Sequence, residues 1–158
     1  MTNKLVVYIT GTGNTRRVAE HLADAIGADL REIVPDPPFT DTDLDWTNPN
    51  SRSSKQHADR SMRPALAEDP SIDGYDEIFL GYPLWWDTAP REVRTWLEAH
   101  DFAGKKLTTF ATSSSSTRGA LGEQLHDSAP DAQWIDGRRF DVDASEDELR
   151  VWAQSLGM

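Results

Sequence analysis

The segment Thr10-Gly11-Thr12-Gly13-Asn14-Thr15 concentrates three hydroxyls, one carboxamide and two glycines in six residues. It stands between an apolar run, Val6-Val7-Tyr8-Ile9, and an amphipathic stretch that opens at once. A strand, a tight turn and a helix are expected in that order. The first backbone N–H groups of a helix have no intrahelical partner, so with the hydroxyls they suit a phosphate. An ordinary strand-to-helix turn capped by Asn14 or Thr15 is the plainer alternative. Two familiar nucleotide loops are excluded. A Walker loop needs a lysine, and none occurs between Lys4 and Lys55; the third glycine of the dinucleotide fingerprint falls on Arg16.

A second polar or aromatic loop follows Asp76 to Pro83, whose continuous apolar centre marks a strand buried in the middle of a parallel sheet. It runs Pro83-Leu84-Trp85-Trp86. Adjacent loop residues point in different directions, so at most one of these indoles is easily buried. The other is free to meet a ligand, and offset stacking on a flat heterocycle is worth about 1 kcal/mol beyond area burial. A third loop, Ser113-Ser114-Ser115-Ser116-Thr117, ends the strand Lys106 to Thr112. Its amides and hydroxyls suit the polar edge of a ring system; a flexible linker is the alternative.

The elements that must position these loops are legible from spacing. Val18, Leu22, Ala25 and Ile26 recur on one face of a helix that ends at Gly27. Arg16 and Arg17 fall in its first turn, where the helix dipole disfavours cations. A bound phosphate would reverse that penalty, and solvent exposure explains them equally. Ala28 to Val34 reads as a short outer strand, and Pro35 to Pro49, with four prolines, as irregular chain. Ser51 to Arg60 has the composition of a polar helix. Within the irregular stretch Trp46 either covers the adjacent core edge or forms a lid near the ligand crevice. A helix opens at Pro90 with Val93, Trp96 and Leu97 inward, and another carries Leu121 and Leu125. A weaker strand covers Gln133-Trp134-Ile135, resuming at Arg138 to Phe140. The last helix has a capping box, Ser145 with Glu148, and an inward stripe of Leu149, Trp152, Ala153 and Leu156.

Five strands alternating with helices, without repeats or a dividing linker, predict one doubly wound α/β domain over residues 1–158 with strand order 2-1-3-4-5. Ligands in this architecture bind beyond the carboxyl ends of the strands, where the winding reverses. The three unusual loops converge there.

Composition narrows the chemistry. The 158 residues contain no cysteine, so disulfides, thiolate metal sites and cysteine nucleophiles are excluded, and redox chemistry requires a bound cofactor. A net charge of -11 argues against nucleic acid or anionic lipid as partner and suits a basic protein surface, or simply keeps the molecule in solution. With no apolar signal segment before the first strand and no run of membrane-spanning length, a soluble cytoplasmic protein is expected.

Thr10 to Thr15, Gly81-Tyr82-Pro83-Leu84-Trp85-Trp86 and Phe110-Ala111-Thr112-Ser113 together resemble the flavodoxin family across nearly the whole chain. The resemblance implies one non-covalent FMN that passes between oxidised, one-electron and two-electron reduced forms. It implies that Thr10, Thr12, Asn14 and Thr15 hold the phosphate, with Gly11 and Gly13 letting the backbone approach it. The ring would lie between Pro83, Leu84, Trp85 and Trp86 on one side and Thr112, Ser113, Ser114 and Ser115 on the other. Trp85 matches the tryptophan that flanks the flavin in many flavodoxins. One departure stands out: the loop after the fourth strand lacks the aromatic residue that often covers the second ring face.

Three functions remain open at this stage. The first is a low-potential FMN electron carrier docking its acidic face on basic partners. The second is an NAD(P)H-linked quinone or flavin reductase with an open ring face, although no nicotinamide motif is legible. The third is a flavodoxin-like scaffold that binds no flavin.

Overall fold

The computed structural model describes residues 3–86, 88–113 and 120–157. Among the described residues the chain forms seven strands and four α-helices. β1 (Lys4–Tyr8) leads into α1 (Asn14–Ile26), then β2 (Asp29–Glu32) and a short β3 (Val34–Pro35). After an irregular strap come α2 (Arg52–Ala58), β4 (Leu66–Glu68), β5 (Glu77–Pro83) and α3 (Arg91–Glu98). β6 (Lys106–Thr112), a 3-10 helix (Glu123–Ser128), β7 (Gln133–Phe140) and α4 (Glu146–Ser155) complete the chain.

Five of the strands form one parallel sheet in the order β2-β1-β5-β6-β7, which is the expected 2-1-3-4-5 winding. Strand alternation divides the core between its two faces. Val6, Tyr8, Phe79 and Phe110 pack with Val18, Leu22, Leu149 and Trp152, under α1 and α4. Leu5, Val7, Ile78, Leu80 and Leu107 pack with Val93, Trp96 and Leu97 of α3 and with Leu125 of the 3-10 helix. Full burial of each such side chain contributes roughly 1.5–3 kcal/mol.

Several local expectations are corrected. The inward stripe of α1 keeps the expected Val18, Leu22 and Ile26 on the core and adds Ala19 and Ala23, whereas Ala25 is half-exposed. The expected second strand stops pairing with β1 at Ile33, whose N–H still reaches Tyr8 O at 2.8 Å. Val34–Pro35 then turns away and pairs antiparallel with Leu66–Glu68, a ribbon the sequence did not announce. Pro90 sits at the cap of α3 rather than inside it. The helix expected around Leu121 and Leu125 is the 3-10 turn. Gly122 at φ 86 breaks the chain before it and leaves Leu121 43% exposed, with Leu125 alone of the pair inward. β7 is continuous across Asp136-Gly137, with a register shift opposite Thr108 and Phe110. A side chain at Gly137 would meet Thr109 Oγ1 at 2.1 Å, so only glycine passes there. Ser145 caps α4 by accepting the Glu148 N–H at 3.1 Å. Among the described residues no helix is long and apolar enough to cross a membrane.

Candidate functional site

The chain leaves β1 with Ile9 still tied to the sheet, its N–H donating to Gly81 O at 3.0 Å. The turn closes on itself when the Gly13 N–H donates to Thr10 Oγ1 at 2.9 Å. Gly13 then caps α1 at φ 95, a left-handed conformation that favours glycine. Among the described residues no side chain caps this helix, neither Asn14 nor Thr15. The side chains of Thr12 and Asn14 are exposed beside its start, whereas Thr15 is buried. The Thr15 hydroxyl bonds Thr112 Oγ1 at 2.7 Å, fastening the turn to the end of β6. Arg16, in the first turn, donates to the Tyr8 hydroxyl at 3.1 Å and to Glu32 at 2.6 Å. The hydrogen bonds it donates to Tyr8 and Glu32 strengthen its hold on its proton, and that carboxylate offsets the unfavourable helix dipole.

The indole loop is built on β5. Leu84 N–H donates to Thr112 O at 3.1 Å, and Trp85 and Thr88 exchange backbone bonds of 2.8 and 3.1 Å around a tight turn. Trp86 lies inside it at φ 50, the one positive φ outside glycine among the described residues. The two indoles diverge, as adjacent loop residues must. Trp85 is half-buried with its ring 5.2 Å from Phe39, while Trp86 is 38% exposed and stacks on His57 at 4.5 Å and 13°.

These loops bound a crevice of about 450 Å³ at the carboxyl ends of β1, β5 and β6. Thr10, Gly11, Thr12, Asn14 and Thr15 line it together with Pro83, Leu84, Trp85, Trp86 and Thr112. Gly13 shapes the turn without reaching the crevice wall. Ser113 faces an adjoining groove that shares Asn14 and Thr112 with the crevice and is completed by Asp141, Val142 and Asp143; Ser114 and Ser115 lie outside the described residues. The remaining wall comes from Leu44 and Trp46 of the strap after β3 and from Ser53 of α2. Leu44 comes so close to the turn that a side chain at Gly11 would meet its Cδ1 at 3.1 Å. Trp46 does not cover the core edge. It is 71% exposed at the rim of the crevice. Leu44 and Ser53 carried no sequence signal beyond their nearness to Trp46. Among the described residues, the lining contains no carboxylate, amine or imidazole.

The Flavodoxin_4 family model, described as flavodoxin, matches residues 3–156. A candidate flavoprotein from Bacteroides eggerthii is 41% identical over 98% of both chains, with a TM-score of 0.91. Another from Bacteroides uniformis is 38% identical over 96% of this chain and 97% of its own, with a TM-score of 0.88. A flavoprotein from Lactobacillus acidophilus, solved in complex with FMN, shares the fold at 17% identity over 98% of both chains and a TM-score of 0.67. Among curated proteins none matches the chain significantly. By its turn after β1, its sheet order and its match from end to end, the chain belongs to the flavodoxin family.

Proposed function

We propose that this chain is an FMN-binding flavoprotein that carries electrons at low potential. The observation that carries the reading is one crevice joining an uncapped helix start to an indole-walled slot, with no titratable side chain in its lining among the described residues. Those residues fit the cofactor part by part. The exposed Thr12 and Asn14 and the first-turn amides of α1 suit a dianionic phosphate. The half-buried indole of Trp85, steadied by Phe39, suits a flat ring. The volume falls within the roughly 300–1,000 Å³ of small-molecule clefts.

The chemistry FMN supplies when bound is the uptake and release of one or two electrons at its ring. The protein's part is to hold it, keep water from its buried face and set its potential. With a chain charge of -11, added negative charge in the crevice costs electrostatic energy, which lowers the potential of the second electron. The same charge suits docking on a basic partner.

A second reading is an NAD(P)H-linked quinone or flavin reductase. It is favoured by Trp46, which stands exposed at the rim rather than sealing it, and by a serine loop with no aromatic residue for the second ring face. A planar donor or acceptor then has access to the ring. An absorption spectrum of the FMN-loaded protein, before and after NADPH alone, separates the two. Persistent yellow colour supports the carrier and bleaching supports the reductase. A preparation that stays colourless after FMN is added rejects both.

A further inference from the structure

The strap that walls the crevice has one apolar anchor, Phe39 against the core and Trp85, and is otherwise held by polar contacts. Between Asp36 and Asn50 most residues are exposed, and backbone bonds such as Leu44 N to Asp41 O and Asn48 N to Asp45 O are local. They shape the strap without attaching it. Attachment comes from α2. The Arg52 guanidinium donates to Pro37 O at 2.6 Å, lies 4.8 Å from the Phe39 ring centre, and reaches Asp43 at 3.7 Å and Glu92 at 3.4 Å. Phe39 in turn packs on Trp85, so one cation supports both the strap and the ring-facing indole.

Gln56 completes the connection. Its Nε2 donates to Glu92 Oε2 at 2.8 Å, its Oε1 accepts the Arg91 N–H at 3.1 Å, and its carbonyl accepts from Arg91 Nε at 3.1 Å. Gln56 is 2% and Glu92 0% exposed. The other Glu92 oxygen, Oε1, has no hydrogen-bond partner among the described residues. A buried carboxylate with one oxygen unsatisfied is costly, and an apolar pair would join two helices at less expense. What the polar cluster adds is direction: its bonds fix α2 in one register on α3. Ser53 then donates its N–H to Asp43 O at 2.9 Å and carries that register into the strap.

We propose that Arg52, Gln56 and Glu92 are positioning residues that latch the strap, setting Leu44 and Trp46 as the outer crevice wall and thereby the residence time of FMN. The inference rests on the FMN reading above. Among the described residues the latch makes no contact with the turn after β1; it acts through the outer wall and, by way of Arg52 and Phe39, through the support of Trp85.

The test is the rate at which flavin fluorescence recovers when FMN-loaded full-length protein is diluted. Gln56→Leu keeps the size and removes the side-chain bonds, and should release FMN about tenfold faster, or about 1.4 kcal/mol. The exchange Gln56→Glu with Glu92→Gln restores a donor and an acceptor in reversed order and should return the rate to within about threefold of the original. A merely structural role would lower stability without changing release. Leu44→Ala and Trp46→Ala remove the wall directly, and each should also speed release. Folded Gln56→Leu protein that releases FMN at the original rate overturns the latch. If that variant does not fold, unchanged release from both wall variants overturns it. An unmodified chain that binds no FMN overturns the functional reading and the latch together.

Discussion

Thr15 and Thr112, 97 residues apart in the chain, meet hydroxyl to hydroxyl at 2.7 Å and join the turn after β1 to the end of β6. Both line the crevice and both are buried. Replacing either with valine leaves the other hydroxyl buried without its partner, at a cost of about 1–3 kcal/mol. Replacing both removes the orphan. Chemical denaturation should therefore show Thr15→Val and Thr112→Val each destabilising, with the double variant losing less than their sum. Additive losses would mean that the two hydroxyls do not depend on each other.

Gly13 and Gly81 are required for different reasons, and alanine separates them. Nothing lies within 4 Å of a side chain placed at Gly13, so only its φ of 95 opposes substitution. Gly13→Ala should cost about 1–2 kcal/mol and weaken FMN binding as the turn's amides re-aim. At Gly81 the new carbon would stand 2.3 Å from Phe110 Cζ, inside the core. Gly81→Ala should cost about 3 kcal/mol through overpacking, and thermal melts of the two variants should differ accordingly.

Glu92 gives the fold a pH dependence of known sign. Burial raises its pKa above the ordinary value of 4.5, opposed by backbone and Gln56 hydrogen bonds and by the charge of Arg52. The native chain thus binds this proton more tightly than the unfolded one. Its contribution is complete below 4.5 and is lost as pH rises through the raised native value. Glu92→Gln has no such loss. Its unfolding free energy, relative to the original chain, should rise from about pH 4 to about pH 7, by at most about 1.4 kcal/mol per pH unit, as chemical denaturation at each pH would show. A difference that stays constant with pH would contradict this.

The acidity of the chain should appear in its electron chemistry. A redox titration of the FMN-loaded protein is expected to place the second couple below that of free FMN, and salt should narrow the gap. Reduction of a basic partner should slow as salt rises. A second couple at or above that of free FMN would mean that local dipoles outweigh the charge of -11.

How much of this was written in the sequence depends on periodicity. The apolar centres of β5 and β6 and the Trp152 face of α4 repeat at strand or helix spacing, so sheet order and both core layers were legible. Of the α1 stripe, Val18, Leu22 and Ile26 were legible but Ala19 and Ala23 were not, because they are small and burial there comes from close approach rather than bulk. The β3–β4 ribbon is two and three residues long, too short to show alternation. Thr10, Thr12, Asn14, Thr15, Pro83 to Trp86 and Thr112 reach one crevice because doubly wound topology brings those strand ends together. Leu44 and Ser53 were not legible: an irregular polar strap has no period, and the contacts that aim it come from Arg52 and Gln56, far along the chain.

The most direct measurement is a paired titration of the FMN-free protein with FMN and with riboflavin, followed by quenching of flavin fluorescence, on the original chain and on Trp85→Ala. If the phosphate is anchored at Thr10 to Thr15 and the ring rests on Trp85, FMN should bind one to one and at least about a hundredfold more tightly than riboflavin, close to 2.7 kcal/mol. Trp85→Ala should weaken both flavins by a similar factor, about tenfold. Equal affinity for the two flavins, or no binding of either, would contradict the account.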